Sequence, residues 1–301
     1  MYNLIISNAA GTFSTILKYI SWMCVQEKNR DTINLFFDFR NKTKVSGNTL
    51  LNYGTSDLNL INFSQASENI FDMFFNIKNV GLYPYNSKYV EQYPYEIKNI
   101  IKNYPEHLIK YEGRGCDVKQ YFDDSEIKKI RSEFNKQWER LDLSPNLKKR
   151  INVEVDPFFR NNHRILCAMI RYSDHYVGDF SYEKIFEEID DKMKNFDKLL
   201  LITQLLPVVE ILKEKYGNNL IYFENRHRVN DYKTDWDGGR NISMSDESFI
   251  RETEDCIIDV IAASKSHFVL GGASNMFLGA LSINKDLNYK IFDVLINNIG
   301  R

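Results

Sequence analysis

Short apolar runs alternate with amphipathic stretches along much of this chain. The first apolar run covers Asn3–Ser7, a stretch of helical spacing follows, and a second apolar run covers Thr32–Phe39. Strand, helix and strand in this order predict a βαβ opening, which favours a parallel sheet with helices on its faces. The first loop, with Asn8 and Gly11, would lie where open α/β sheets bind ligands. An ordinary βα turn is the alternative for that loop.

The second half of the chain repeats this alternation more regularly. Its continuous apolar runs are typical of strands that are buried on both faces of a parallel sheet. The expected strands cover residues 164–170, 199–202, 220–223 and 267–270. The expected helices cover residues 180–195 and 207–216, a third begins at 254–255, and a fourth opens at 276. This order predicts a doubly wound α/β domain.

The last of these strands turns into a helix through the small residues Gly271-Gly272-Ala273-Ser274-Asn275. Such a turn presents backbone N–H groups at the positive end of the helix dipole. Its glycines let a ligand approach the backbone closely. The stretch therefore predicts a phosphate-sized anion site, with a sharp turn that binds no ligand as the alternative. No lysine follows the glycines, which excludes a P-loop.

A break at Asp156-Pro157 divides the chain into two expected domains. Before the break, Ser125 is expected to cap a helix that runs to about Leu141. The predicted domains are an amino-terminal α/β domain over residues 1–156 and a carboxyl-terminal Rossmann-like domain over residues 157–301.

Composition limits the classes of partner and the compartment. The 301 residues carry 39 basic and 41 acidic side chains, a net charge of −2, so bulk electrostatic binding of nucleic acid is not expected. The four cysteines form no CxxC pair, which predicts reduced thiols and no structural metal. No apolar run approaches the roughly 20 residues that cross a membrane, and the amino terminus has no signal-peptide pattern. We therefore expect a cytoplasmic protein without a transmembrane segment.

A charged pair follows the first strand of the second half. Arg171 comes directly after the apolar run 164–170, and Asp174 stands three residues later. A guanidinium fork at a strand end suits a diphosphate better than the point charge of a lysine does. Asp174 could orient Arg171 or bind a sugar hydroxyl, and a purely structural pair of the two is the alternative. His175 is a further candidate acid or base.

Four segments of the second half match the motifs of a known family in order and spacing. They are Met169-Ile170-Arg171-Tyr172-Ser173-Asp174, Leu201-Ile202-Thr203-Gln204, Ile257-Ile258-Asp259 and Gly271-Gly272-Ala273-Ser274-Asn275. They resemble motifs of the fucosyltransferase superfamily, which includes the Nod-factor and core α-1,6-fucosyltransferases and the protein O-fucosyltransferases. The resemblance covers roughly residues 145–285. It implies an α/β architecture of the GT-B kind, with two Rossmann-like domains that face each other across a cleft.

The resemblance also implies an activity, which is inverting transfer of fucose from GDP-fucose to a glycan hydroxyl. Arg171 would bind the β-phosphate of the donor, Asp259 would face the guanosine, and Ser274 with the N–H groups of its turn would hold the phosphates. No metal cofactor is expected, because an arginine and a helix N-terminus neutralise the departing GDP. The implied catalytic residues are Arg171 and Asp174. The implied donor-binding residues are Arg171, Tyr172, Thr203, Asp259, Gly272, Ser274 and Asn275, and Asn8 and Gly11 would line the amino-terminal side of the cleft.

Three positions depart from the motifs of the family. Met169 replaces a histidine, Tyr172 replaces a second arginine, and Gln204 replaces an acidic residue. A lost cation at the leaving group costs on the order of 10²–10³ in rate if it acts as an oxyanion donor does. Two alternatives therefore stay open. The donor could be another nucleotide sugar, or the chain could be a non-catalytic nucleotide- or glycan-binding protein on the same scaffold.

The polar loop that follows the strand 220–223 carries two further signals. Asp235-Trp236-Asp237 has the spacing with which GT-A transferases hold a metal ion on a diphosphate, although no buried strand precedes it and a solvated loop is expected. The basic cluster Arg226-His227-Arg228 could contact a donor phosphate or an acceptor. An exposed loop face is the expected role of this cluster.

Overall fold

The computed structural model describes residues 2–6, 12–28, 33–37, 43–44, 53–54, 74–77, 81–82, 124–170, 182–230, 246–272 and 274–292. The chain forms two compact units. The first unit consists of Met1–Asp117, Asp124–Lys148 and Ser243–Glu254. The second unit consists of Val118–Asp123, Lys149–Ile242 and Asp255–Arg301. The domain boundary expected near residue 156 stays a prediction.

Parallel pairing organises the first unit. Its strands are β1 (Tyr2–Ile6), β2 (Ile33–Phe37), β3 (Thr43–Lys44), β4 (Tyr53–Gly54), β5 (Phe75–Ile77), β6 (Gly81–Leu82) and β7 (Leu141–Leu143), and its helices include α1 (Thr12–Lys28) and α2 (Asp124–Trp138). Strand β2 pairs in parallel with β1 and with β6, and antiparallel pairs join β3 to β4 and β5 to β7. Helix α1 connects β1 to β2, which confirms the predicted βαβ opening.

Aromatic side chains fill the core of the first unit. Phe13 of α1 stacks on Trp138 of α2 with ring centroids 6.2 Å apart, and Phe75 of β5 meets the same indole edge-on at 6.0 Å. Phe13 and Phe75 are almost completely buried. Large aromatic side chains bury much apolar area each, so these contacts stabilise the packing of α1 against α2.

A five-stranded parallel sheet organises the second unit. The remaining elements are α3 (Pro145–Glu154), α4 (Asp156–Phe159), β8 (Ile165–Ile170), α5 (Tyr182–Met193), β9 (Lys198–Thr203), α6 (Leu206–Tyr216), β10 (Leu220–Ile221), α7 (Asp246–Lys265), β11 (Phe268–Gly271), α8 (Asn275–Ile283) and β12 (Asn288–Ile291). The sheet order is β10-β9-β8-β11-β12, and every neighbouring pair is parallel. The chain thus starts at the centre, moves outward to β10, and crosses back to β11 on the other side of β8.

Helices cover both faces of this sheet. Leu166, Ala168 and Ile170 of β8 belong to one buried cluster with side chains of α5 and α6. The alternate side chains, Cys167 and Met169, lie on the opposite face towards α7 and α8. Burial on both faces explains why β8 is a continuous apolar run, and all six of its residues are buried. The predicted α/β class is therefore confirmed.

Several elements differ from the sequence-based expectation, three of them most clearly. Helix α7 begins at Asp246, earlier than the expected start at residues 254–255. Helix α2 begins at Asp124 and ends at Trp138, so that Leu141 belongs to β7 rather than to the helix. Strand β12 was not predicted, because its side chains are partly exposed and form no apolar run. Helices whose first turns are polar, and edge strands, give weak periodic signals.

Within the described ranges, no helix combines the length and the apolar character that crossing a bilayer requires.

Candidate functional site

The carboxyl end of β11 packs tightly against the helix that follows it. A Cβ atom on Gly271 would lie 2.5 Å and 2.8 Å from two ring carbons of Phe277. Phe277 is fully buried, so its ring has little room to move away. The backbone of Gly271 has no positive φ. Glycine at position 271 therefore allows close packing of strand on helix rather than a left-handed backbone.

Ser274 fixes the start of α8. Its Oγ accepts a hydrogen bond from the backbone N–H of Phe277 at 3.2 Å, which makes Ser274 the N-cap. This bond leaves the hydroxyl proton of Ser274 available to donate to a ligand. Gly272 is buried directly before the turn, and Asn275 is the first helical residue. The predicted strand–turn–helix is thus confirmed, and phosphate binding at Gly272, Ser274 and Asn275 stays a prediction.

The direction in which the chain adds strands to the sheet reverses beside this turn. Strands β8 and β11 are parallel neighbours, and Met169 lies opposite Gly271. The chain continues from β8 towards β9 and from β11 towards β12, which are on opposite sides. Open α/β sheets bind ligands at such a switch point, outside the carboxyl ends of the strands. Arg171 is the residue that follows β8 in the sequence.

Several predicted site residues lie outside the described ranges, so their roles stay predictions. They are Asn8, Gly11, Arg171, Tyr172 and Asp174, together with Ala273, His175, Asp235 and Asp237.

Thr203 lies at the carboxyl end of β9, on the other side of β8. It is paired with Ile170, and its Oγ1 accepts a hydrogen bond from the backbone N–H of Leu205 at 3.2 Å. The hydroxyl therefore shapes the turn into α6, and its predicted contact with the donor remains to be tested. Of the positions that depart from the family, Met169 is buried with 5% exposure, whereas Gln204 is exposed.

Asp259 belongs to a buried cluster of two arginines and three carboxylates. Nε of Arg226 donates to Oδ1 of Asp259 at 2.9 Å, and Nη1 of Arg226 donates to Glu154 and to Asp255 at 3.0 Å each. Arg150 donates to the same Glu154 at 2.7 Å and also to Asp255. Glu154 and Asp255 therefore each contact both guanidinium groups. Among the described residues Asp259 pairs only with Arg226.

Arg226 is held in place by its own loop. Val229 donates a backbone hydrogen bond to Gln204 and accepts one from Leu206, which fixes the loop beside the carboxyl end of β9. The guanidinium of Arg228 donates to the carbonyl oxygens of Phe223, Glu224 and Arg226. The side chain of Arg226 is only 7% exposed and stacks over the Phe223 ring at 4.3 Å. The expectation of an exposed loop face is therefore wrong for Arg226, because buried carboxylates draw its guanidinium inward.

The charges of this cluster do not balance, which affects its carboxylates differently. Burial raises the pKa of Glu154, but hydrogen bonds and charges from Arg150 and Arg226 outweigh it and hold the pKa below the usual value. Burial raises the pKa of Asp259 to about 6, although Arg226 opposes this change. The charge of Asp255 raises the pKa of Asp259 further. Asp259 is thus a carboxyl group whose charge changes close to neutral pH.

Nη2 of Arg226 is buried without an acceptor in the part of the chain that the structure describes. A buried donor in this state costs about 1–3 kcal/mol unless a water or a ligand atom accepts from it. Besides Nε, which donates to Asp259, the guanidinium group therefore has a second nitrogen, Nη2, that is available to donate to a water or a ligand.

Sequence analysis missed Arg150, Glu154, Asp255 and the inward role of Arg226. A signal for them was present in the helical spacing. Arg150 and Glu154 are four residues apart on α3, and Asp255 and Asp259 are four residues apart on α7. An acidic residue between the apolar neighbours Ile258 and Val260 indicates a buried partner. Sequence spacing could not identify Arg226 as the partner of these carboxylates, because Arg226 comes from a distant loop.

Among the described residues, no group of three or more His, Cys, Asp or Glu side chains could hold a metal ion.

Solved structures of fucosyltransferases share the fold of this chain. NodZ α-1,6-fucosyltransferase soaked with GDP-fucose matches with a TM-score of 0.54 and 14% sequence identity over 93% of this chain and 92% of that one. The fucosyltransferase NodZ from Bradyrhizobium matches with a TM-score of 0.56 and 13% identity over 97% and 96%. POFUT1 in complex with GDP matches with a TM-score of 0.52 and 10% identity over 97% and 98%. At such low identity the likeness shows the fold.

By sequence alone, no protein-family model and no curated protein matches this chain. The described α/β architecture is that of the solved NodZ and POFUT1 fucosyltransferases.

Proposed function

We propose that this chain is a glycosyltransferase that moves fucose from GDP-fucose to a glycan hydroxyl with inversion at the anomeric carbon and without a metal ion. The fold likeness supports the reaction class, because the matching structures include NodZ soaked with GDP-fucose and POFUT1 in complex with GDP. In this reaction the acceptor oxygen forms a bond to the anomeric carbon while the bond from that carbon to GDP breaks. The acceptor proton leaves to a base, and GDP departs as an anion.

One observation carries the proposal: the carboxyl ends of β8 and β11 lie side by side at the switch point of the sheet. Arg171 follows β8 in the sequence, and the start of α8 follows β11. A guanidinium and a helix N-terminus at one edge would neutralise the two phosphates of a departing GDP. Asp174 would orient Arg171, and Tyr172 and Thr203 would complete the donor site.

A second candidate function is nucleotide binding without transfer. The observation that favours it is the buried methionine at position 169, where the family carries a histidine. A thioether in this place accepts hydrogen bonds only weakly. Binding of GDP or GDP-fucose without consumption of the donor would support this candidate over the transferase.

The first test is calorimetric titration of the chain with GDP, with UDP and ADP as comparison nucleotides. Arg171→Ala should weaken GDP binding about 10- to 100-fold, because a charge-assisted hydrogen bond contributes about 1.5–3 kcal/mol. Arg164→Ala is a matched control, since Arg164 lies exposed at the other end of the same strand and stacks on Phe196. We expect this control to bind GDP as the unchanged chain does.

Absence of GDP binding, or an equal effect of Arg171→Ala and Arg164→Ala, would refute the proposed donor site. A second assay follows GDP release from GDP-fucose with a panel of glycan acceptors, in the presence and absence of a chelator. Release that survives chelation supports the metal-independent reaction. Release that depends strictly on added Mn²⁺ would instead favour the GT-A alternative with Asp235 and Asp237.

A further inference from the structure

Among the described residues, Asp259 is fixed by a single partner. It lies one turn after Asp255 on α7, and its one described contact is the 2.9 Å hydrogen bond from Nε of Arg226. A carboxylate with one partner takes the orientation that this partner imposes. Removal of Arg226 would therefore leave the direction of Asp259 undefined and raise the pKa of Asp259 further.

Arg226 is itself held rigidly, so that it can impose an orientation. Nη1 reaches Glu154 of α3 and Asp255 of α7, and the guanidinium plane stacks over Phe223. Three directions of contact fix a planar group with little rotational freedom. A lysine in the same place would offer a point charge without this fixed fork.

We propose that Arg226 is a positioning residue of the nucleotide site, which holds Asp259 in the direction that accepts N–H groups from the donor base. This inference rests on the proposed function, because it takes Asp259 as the contact to guanosine. Arg226 acts through Asp259, to which its Nε donates a hydrogen bond. Its role is therefore in recognition of the base and not in the transfer step.

Several charged or titratable groups face Asp259. Arg226 and Arg228 approach it from the loop after β10, Asp255 lies one turn earlier on α7, and Cys167 lies on β8. The two arginines favour its charged form, and Asp255 with burial disfavours it. The thiol of Cys167 is neutral, because burial raises its pKa well above the usual value. Acid should therefore protonate Asp259 at about pH 6 and remove an acceptor for the base.

The test measures the affinity for GDP-fucose between pH 5 and pH 8 by calorimetry. GDP-fucose is the suitable probe because both of its phosphates are esterified, whereas the terminal phosphate of GDP itself ionises at about pH 6. The variants are Arg226→Met, Asp259→Asn and the matched control Arg150→Met. Arg150 is buried in the same network and shares Glu154 and Asp255 with Arg226, but no contact joins it to Asp259 among the described residues.

We expect the affinity of the unchanged chain to fall below about pH 6 and that of Asp259→Asn to be low and independent of pH. Arg226→Met should lose about tenfold in affinity at pH 7 and begin its decline at higher pH, because the cation that opposes the raised pKa of Asp259 is gone. Arg150→Met should keep the midpoint of the unchanged chain. Arg226→Lys should lie between Arg226→Met and the unchanged chain.

Different outcomes separate this inference from the proposed function. Equal losses and equal midpoints for Arg226→Met and Arg150→Met would show a merely structural role and overturn the inference alone. Wild-type behaviour of Asp259→Asn would overturn it as well, while the Arg171 result decides the donor site independently. If Arg226→Met fails to fold in thermal unfolding, the comparison of Arg226→Lys with Arg150→Lys replaces it, and equal pH midpoints there count against the inference.

Discussion

At the scale of single residues, the contact between Gly271 and Phe277 determines how closely a strand end approaches the helix after it. The ring of Phe277 occupies the space that any Cβ at position 271 would need. The geometry of the candidate phosphate site therefore depends on one absent methyl group.

Gly271→Ala should lower the free energy of unfolding by about 1–3 kcal/mol, because a buried methyl group would overlap a ring that cannot move away. Urea unfolding measures this cost. The same substitution should cost about 1 kcal/mol less in a chain that also carries Phe277→Leu, since the smaller side chain vacates the space. Equal costs in the two backgrounds would show that the ring is not the obstacle.

Residues differ in how far the sequence predicts their place. Ser274 could be predicted as a cap, because its hydroxyl bonds the backbone three residues later. Arg226 could not, because its partners Glu154 and Asp259 lie 72 and 33 residues away along the chain. Local chemistry is readable from neighbours, whereas a buried ion cluster is decided by which distant elements pack together.

At the scale of elements, helix α8 begins abruptly after β11 and is almost wholly buried. Residues 277–282 are all buried, so the helix is stabilised by packing along its length and by its cap at one end. The Ser274 cap satisfies one N–H group of the first turn. This leaves the neighbouring N–H groups as the donors that a phosphate would meet.

Ser274→Ala should therefore destabilise the chain by about 1 kcal/mol, the usual cost of a lost N-cap. Ser274→Asp keeps a capping oxygen and should retain stability, but its charge should repel a diphosphate and weaken GDP binding. Thermal unfolding and GDP titration of both variants separate the two effects. GDP binding by Ser274→Asp at the affinity of the unchanged chain would place the phosphates elsewhere.

Strong elements were predictable and weak ones were not. Helix α6 begins at Leu206 with Pro207 in its first turn and ends at Tyr216, where the C-cap residue Gly217 has a positive φ of 50° that suits glycine. Proline in the first turn and glycine after the last turn are both signals that can be recognised in the sequence. Strand β12 has half-exposed side chains and gained its place only by pairing with β11. Its position follows from the sheet and not from its own residues.

At the scale of the whole molecule, burial in the second unit falls from the centre of the sheet to its edges. Every residue of β8 is buried. At the edges of the sheet, one of the two residues of β10 is buried, and β12 begins with an exposed residue. The candidate site lies at the most buried part of this gradient. A rigid centre is a suitable support for groups that must meet a ligand in one arrangement.

Amide hydrogen exchange should follow the same gradient. We expect the amides of β8 and the middle of β9 to exchange on the order of 100-fold more slowly than those of β12, because they open only with the whole unit. Mass-resolved exchange of peptic peptides measures the difference. Equal protection of β12 and β8 would contradict the gradient.

Two cysteine thiols have a practical consequence. Cys24 of α1 and Cys167 of β8 are fully buried, and each lies in a different unit. A sulfhydryl must be reached by an alkylating reagent and lose its proton before it reacts. The rate at which each thiol is alkylated therefore reports how often the unit that contains it opens. The two natural cysteines therefore allow the opening rates of the two units to be compared without an added dye.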